Sequence, residues 1–157
     1  MNRLCVHSLI VSVALAWLIC STVDCGRAWN ARSELKQQQE RWRASGVTDY
    51  RYTIKWYIGG QAHDVGKPVV IEVRDGKRTS MTCAGCEIER PEIFDDLDTV
   101  EKLFERIEKG ILSEPAEFRA KYDETLGYPV NYGKKQNGQG VMDDWEEFEV
   151  LNFERVK

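Results

Sequence analysis

Residues 50–58 read Tyr50-Arg51-Tyr52-Thr53-Ile54-Lys55-Trp56-Tyr57-Ile58. Tyr50, Tyr52, Ile54, Trp56 and Ile58 alternate with Arg51, Thr53, Lys55 and Tyr57, and this period of two predicts a strand with one buried face. Gly59 and Gly60 end it. Val69, Ile71 and Val73 repeat the alternation, after which Asp75-Gly76 supplies a two-residue hairpin turn, because both positions tolerate positive φ. Lys77 to Thr82 is the returning strand.

On either side of this three-stranded unit the period changes. Asn30 to Ser45 is rich in Gln, Glu, Arg and Lys, has Asn30 or Ser33 as candidate N-cap and ends at Gly46, so it reads as a helix. Its apolar face is thin, with Leu35 and Trp42 seven residues apart on one side, which suits a helix lying across a sheet. Downstream, Asp98 and Glu101 form a capping pair ahead of Val100, Leu103, Phe104, Ile107 and Ile111 at helical spacing. Gly110 weakens the last turn of that second helix.

The C-terminal third returns to strands. Phe118, Ala120 and Tyr122 alternate, as do Tyr128, Val130 and Tyr132, with a turn around Asp123 to Gly127 between them. Trp145 to Val156 reads as the last strand, in which Phe148 and Val150 fall on one parity and Leu151 and Phe153 on the other, so a bulge or a doubly covered strand is expected. The order α-β-β-β-α-β-β-β predicts an α+β domain, an antiparallel sheet with two helices packed on one face.

The first twenty or so residues differ in kind. Leu9 to Cys20 is an apolar run broken by Ser12, shorter than the roughly 20 residues of a spanning helix and within the roughly 7 to 15 of a signal-peptide core. Residues 1–28 are therefore expected to be an export signal and residues 29–157 a single domain outside the cytoplasm, in the periplasm or envelope or secreted. Gly26 and Ala28 suit an ordinary cut before Trp29, whereas Cys25 is the candidate lipidation site if the signal is of the lipoprotein type. Asp24 matches that type poorly, and an uncleaved anchor is the third alternative.

The 157-residue chain carries 22 Lys and Arg against 26 Asp and Glu, a net charge of −4. A mildly acidic balance argues against a phosphate-backbone binder, so nucleic acid is not an expected partner. The hydrophobic fraction of 42% is enough to fill one core. Membrane contact is expected only through the signal or a lipid anchor.

Two groups of residues carry a resemblance. Trp42, Gly46, Asp49, Tyr50, Arg51, Tyr52 and Thr53, followed by Val73-Arg74-Asp75-Gly76, form the first. Tyr122-Asp123 with Gly127-Tyr128-Pro129 forms the second. Together, over nearly all of residues 38 to 154, they resemble the bacterial family catalogued as domain of unknown function 6174. The resemblance implies an extracytoplasmic single domain, often tethered as a lipoprotein, with no assigned activity. Many relatives have cysteines in the first strand, which Tyr52 to Ile58 lacks, and the pair Cys83/Cys86 has no placed counterpart, so the resemblance bears on fold and compartment rather than on a site.

Cys83-Ala84-Gly85-Cys86 admits a disulfide, a redox dithiol or half of a metal site. Outside the cytoplasm a disulfide is the default. The neighbouring Glu87, Glu89 and Glu92 would raise a thiol pKa and weaken the nucleophile, and zinc would have to recruit His63 and Cys25 as well. His63, in a glycine-bounded loop beside Asp64, has no identifiable catalytic partner. The acidic groups Glu92, Asp95, Asp96, Asp98 and Asp143, Asp144, Glu146, Glu147, Glu149 lack the ligand spacing of a calcium loop; the first suits the N-terminus of the second helix and the second a solvated sheet edge. No metal or cofactor is expected.

Asp123, Tyr128 and Pro129 are the binding candidates. Their residue types match turn chemistry, and the functional alternative is an aromatic groove for a peptide, glycan or lipid. No catalytic constellation emerges, so the reading is a small extracytoplasmic binding or interaction module whose partner is an envelope protein, peptide or glycan. The alternative is an envelope thiol-redox protein using Cys83 and Cys86.

Overall fold

A computed structural model of the chain describes residues 29–59, 66–136 and 145–156. Helix α1 covers residues 29–45 and ends at Gly46, whose φ of +63° is the left-handed conformation that stops a helix. Leu35 and Trp42 are its buried residues, the thin stripe that its sequence predicts. Strand β1, Tyr50–Ile58, buries Tyr50, Tyr52, Ile54 and Trp56 in strict alternation. Strand β2, Val69–Arg74, does the same with Val69, Ile71 and Val73, and Asp75 and Gly76 both adopt positive φ in the turn to β3, Lys77–Cys83.

A short 3-10 turn at Pro91–Phe94 leads to helix α2, Val100–Leu112. The N-cap is Thr99, whose side chain accepts from the Lys102 backbone N–H, one residue beyond the capping pair expected at Asp98. Asp98 is instead buried beneath ion pairs to Arg78 and Lys102. Three strands complete the fold: β4, Glu117–Tyr122; β5, Pro129–Lys135; and β6, Trp145–Arg155.

The six strands form one antiparallel sheet in the order β3-β2-β1-β6-β5-β4. Two three-stranded meanders thus meet at the β1–β6 seam, and the segment containing α2 carries the chain from one sheet edge to the other. Both helices pack on the same face. Tyr50 touches each of them: its ring lies edge-on to Trp42 of α1, with centroids 5.4 Å apart, and its hydroxyl meets the first turn of α2.

The parity conflict in β6 resolves as a bulge. Register shifts between Arg51 and Thr53, where one residue of β1 faces two of β6, and Asn152 absorbs the extra residue at φ +50°. Phe153 is thereby turned onto the core face with Phe148 and Val150, where it stacks on Tyr50 and Tyr128. At the other helix, Phe104 stacks on Tyr122 with centroids 6.2 Å apart, and Gly110 lets α2 approach β5 so closely that a Cβ there would lie 2.3 Å from the Tyr132 hydroxyl oxygen.

Candidate ligand groove

The residues that carry the family resemblance spend their polar atoms inside the fold. Trp42 Nε1 donates to Glu101 Oε1 at 2.7 Å, and the Tyr50 hydroxyl accepts from the Val100 N–H at 2.9 Å while donating to Glu101 Oε2. Tyr52 donates to the Leu97 carbonyl at 2.6 Å, and Asp49 accepts from the Asp75 N–H at 2.8 Å. Together they clamp the start of α2 and the β2–β3 hairpin onto β1. Burial raises the pKa of both Tyr50 and Tyr52, so each stays a neutral hydroxyl.

Asp123, Tyr128 and Pro129 gather at the same end of the sheet. Asp123 accepts from the N–H groups of Thr125 and Leu126, and its own N–H donates to the Tyr128 carbonyl. Gly127, at φ +81°, presses this turn against α1, where a Cβ would come within 2.8 Å of the Gln38 carbonyl. Tyr128 is half-buried and stacks on Phe153 with centroids 4.2 Å apart, and Pro129 is buried at the start of β5. Cys83 and Cys86 lie at disulfide separation, Cα atoms 5.3 Å apart, across a turn made by Gly85 at the end of edge strand β3. Cys25 and His63 lie outside the described residues.

At the opposite end of β1, a groove of about 400 Å³ opens where β1, the Pro91–Phe94 turn and α2 meet. Trp56 and Ile58 form one wall, Arg90, Glu92 and Ile93 another, and Asp95, Asp96, Leu97 and Arg106 complete it. Trp56 is 8% exposed, packs edge-on to Phe94, and its Nε1 is buried without a hydrogen-bond partner. Trp42, by contrast, donates its indole N–H to Glu101.

Behind the groove stands a buried charge network. Glu146 is 4% exposed; its Oε1 accepts from Arg106 Nε at 2.5 Å, and its Oε2 is 3.6 Å from Lys134 Nζ. Burial works to lower the Arg106 pKa, but the hydrogen bond and charge of Glu146 outweigh it, and the net shift is upward. The guanidinium is a fixed cation. By sequence Glu146 belongs with a solvated acidic edge. Instead β6 is a central strand and Glu146 shares the parity of Phe148 and Val150, so it faces the helices.

With both carboxylate oxygens of Glu146 engaged by cations, the arrangement suits holding a ligand rather than shuttling protons. Among the described residues no group of three or more His, Cys, Asp and Glu side chains is placed to hold a metal ion. Nor is any helix among them long and apolar enough to cross a membrane. Sequence reasoning reached Trp56 as a core residue and Asp95 and Asp96 as helix-start acids, but not Arg106. The missing signal was topological, since the groove joins residues from three elements.

Comparison with known families supplies a membership. The model of a Family of unknown function (DUF6174) matches residues 34–149, from α1 into β6, and the chain belongs to that family. No curated protein and no solved structure matches it.

Proposed function

We propose that the protein is an extracytoplasmic binding module and that the groove beside Trp56 receives its ligand. The observation that carries this reading is an open groove of about 400 Å³ in which the apolar side chains of Trp56, Ile58, Ile93 and Leu97 meet charged side chains from the Pro91–Phe94 turn and α2. The compartment rests on the apolar run Leu9 to Cys20 and on the small residues that follow it.

The test is a nuclear magnetic resonance screen of indole N–H signals against blocked peptides, short glycans and lysophospholipids. Binding in the groove moves the Trp56 signal saturably and leaves that of Trp42, sealed by Glu101, in place. A screen in which the exposed Trp29 and Trp145 respond and Trp56 stays still removes the groove from consideration.

A further inference from the structure

We infer that the Cys83–Cys86 bond is a redox-sensitive latch on the groove wall: reduced by a dithiol, it releases residues 84–93 and leaves the sheet and both helices in place. The latch concerns the wall of the proposed ligand groove, and its test reads the wall itself rather than a ligand. Three features converge on it.

The first is access. Cys83 ends the edge strand β3, half-buried opposite Val69, whereas Ala84, Gly85 and Cys86 are exposed. Gly85 stands at φ +74°, and among the described residues nothing lies within 4 Å of where its Cβ would be. An outside thiol therefore reaches the turn without unfolding the domain, and exposed disulfides are the labile ones.

The second is what the bond restrains. From Ala84 to Ile93 no residue is buried, and Ile88 and Ile93 are half-buried against the core. Lys67 ties this connection at the surface, donating to the Glu87 carbonyl at 3.1 Å and lying 3.9 Å from Glu89; exposed pairs of this kind contribute little. A segment with few buried contacts opens locally at low cost, so a covalent restraint weighs heavily on it. Arg90, Glu92 and Ile93, one wall of the groove, belong to this segment or its end.

The third is where release stops. Phe94 is fully buried and packs edge-on to Trp56. Beyond it, Arg78 bonds Asp95, Lys102 donates to the Asp95 carbonyl at 2.7 Å, and Tyr52 donates to the Leu97 carbonyl. Upstream, β3 is laddered to β2. Neither boundary depends on the bond, so its loss frees the wall and spares the core.

The step is ordinary thiol–disulfide exchange. One thiolate of the dithiol attacks a sulfur of the pair, breaking the S–S bond and forming a mixed disulfide; its second thiol then displaces the attached cysteine. Two electrons and two protons end on Cys83 and Cys86 as two thiols, and the dithiol leaves as a disulfide. The oxidised protein presents an ordered wall and the reduced one a loose wall.

The experiment treats the ¹⁵N-labelled full chain with dithiothreitol in the absence of denaturant, maps alkylation to Cys83 and Cys86 by mass spectrometry, and follows amide hydrogen exchange by nuclear magnetic resonance. The reporter is the Ile93 N–H, which donates to the Arg90 carbonyl at 3.2 Å, and the reference is the set of amides in the central strand β1. Both cysteines should become open to alkylation while the protein stays folded. Exchange at Ile93 should rise about tenfold, the scale of restraint that a short-loop disulfide supplies, with β1 unchanged. Cys83→Ser with Cys86→Ser should show the faster Ile93 exchange before any reductant, and dithiothreitol should then add nothing.

A bond that resists dithiothreitol until denaturant unfolds the chain overturns the latch. So does a reduced protein in which Ile93 exchanges as slowly as before, and so does one in which β1 loosens as much as Ile93, since the bond would then hold the whole fold. None of these results bears on whether the groove takes a ligand, which the indole screen on the oxidised protein decides.

Discussion

Replacing Gly110 by Ala tests the contact that sets the height of α2 above the sheet. In an unconstrained helix interior the change would stabilise by about 1 kcal/mol. Here the added Cβ would lie 2.3 Å from the Tyr132 hydroxyl oxygen and 2.9 and 3.0 Å from two ring carbons, against an ordinary contact of about 3.5–4 Å. The ring cannot retreat freely, because Phe148 and Phe118 hold it from other sides with centroids 5.2 and 6.1 Å away and it is fully buried. Overpacking of this kind costs about 1–3 kcal/mol. Set against the helical gain, the net expectation is a loss of up to about 2 kcal/mol by denaturant titration. Tyr132→Phe removes the nearest atom, which is also a buried hydroxyl with no partner, so it should be neutral or stabilising by about 1 kcal/mol. The double variant should then recover part of the Gly110→Ala loss. A Gly110→Ala chain that is about 1 kcal/mol more stable than wild type would refute the α2–β5 packing.

Three further outcomes are expected. Phe104→Ala should cost about 3–5 kcal/mol, since Phe104 is buried against Tyr122 in the core; Cys83→Ser with Cys86→Ser should cost no more than about 2 kcal/mol, because so short a loop removes little unfolded-state entropy, and the reverse ranking in denaturant would show a thiol-held fold. Burial raises the folded-state pKa of Tyr50, Tyr52 and Tyr132, so their contribution is complete below about pH 10, the unfolded value, and is lost as pH rises beyond it. At pH 11 that is on the order of 1 kcal/mol for each, and stability unchanged between pH 9 and 11 would contradict it. Mass spectrometry of the mature N-terminus should find either a lipid on Cys25 or Trp29 as the first residue, whereas an intact Met1 on a cytosolic protein would contradict export.

The elements were legible in the sequence wherever one side-chain period governed a whole segment. Tyr50 to Ile58 alternates without a break, Asp75-Gly76 has the residue types its backbone requires, and Val100 to Ile111 keeps a helical stripe. The bulge in β6 was visible as a change of parity between Val150 and Phe153, although its hinge, Asn152, was not. What the sequence withheld was the pairing of β1 with β6. That seam is a contact between distant segments, and neither strand encodes its partner. Without it Glu146 looks like one acid among several on an edge, and Arg106 like a solvated helix residue. The candidate groove likewise joins segments distant in sequence, β1, the Pro91–Phe94 turn and α2, which is why Trp56 was legible as core and not as part of a groove wall. The family pattern pointed elsewhere for a physical reason: Trp42, Asp49, Tyr50 and Tyr52 are fixed by hydrogen bonds that hold α2 and a hairpin in place.

The central claim, a binding module that works through its groove outside the cytoplasm, is tested most directly by photo-crosslinking in cells that make the protein. p-Benzoylphenylalanine would replace Ile93 in the groove wall in one chain and Val70, on the uncovered sheet face, in another. The account predicts a discrete adduct from position 93, formed on processed protein in the extracytoplasmic fraction, and none from position 70. An adduct from position 70 alone, or unprocessed protein in the cytosol, would contradict it.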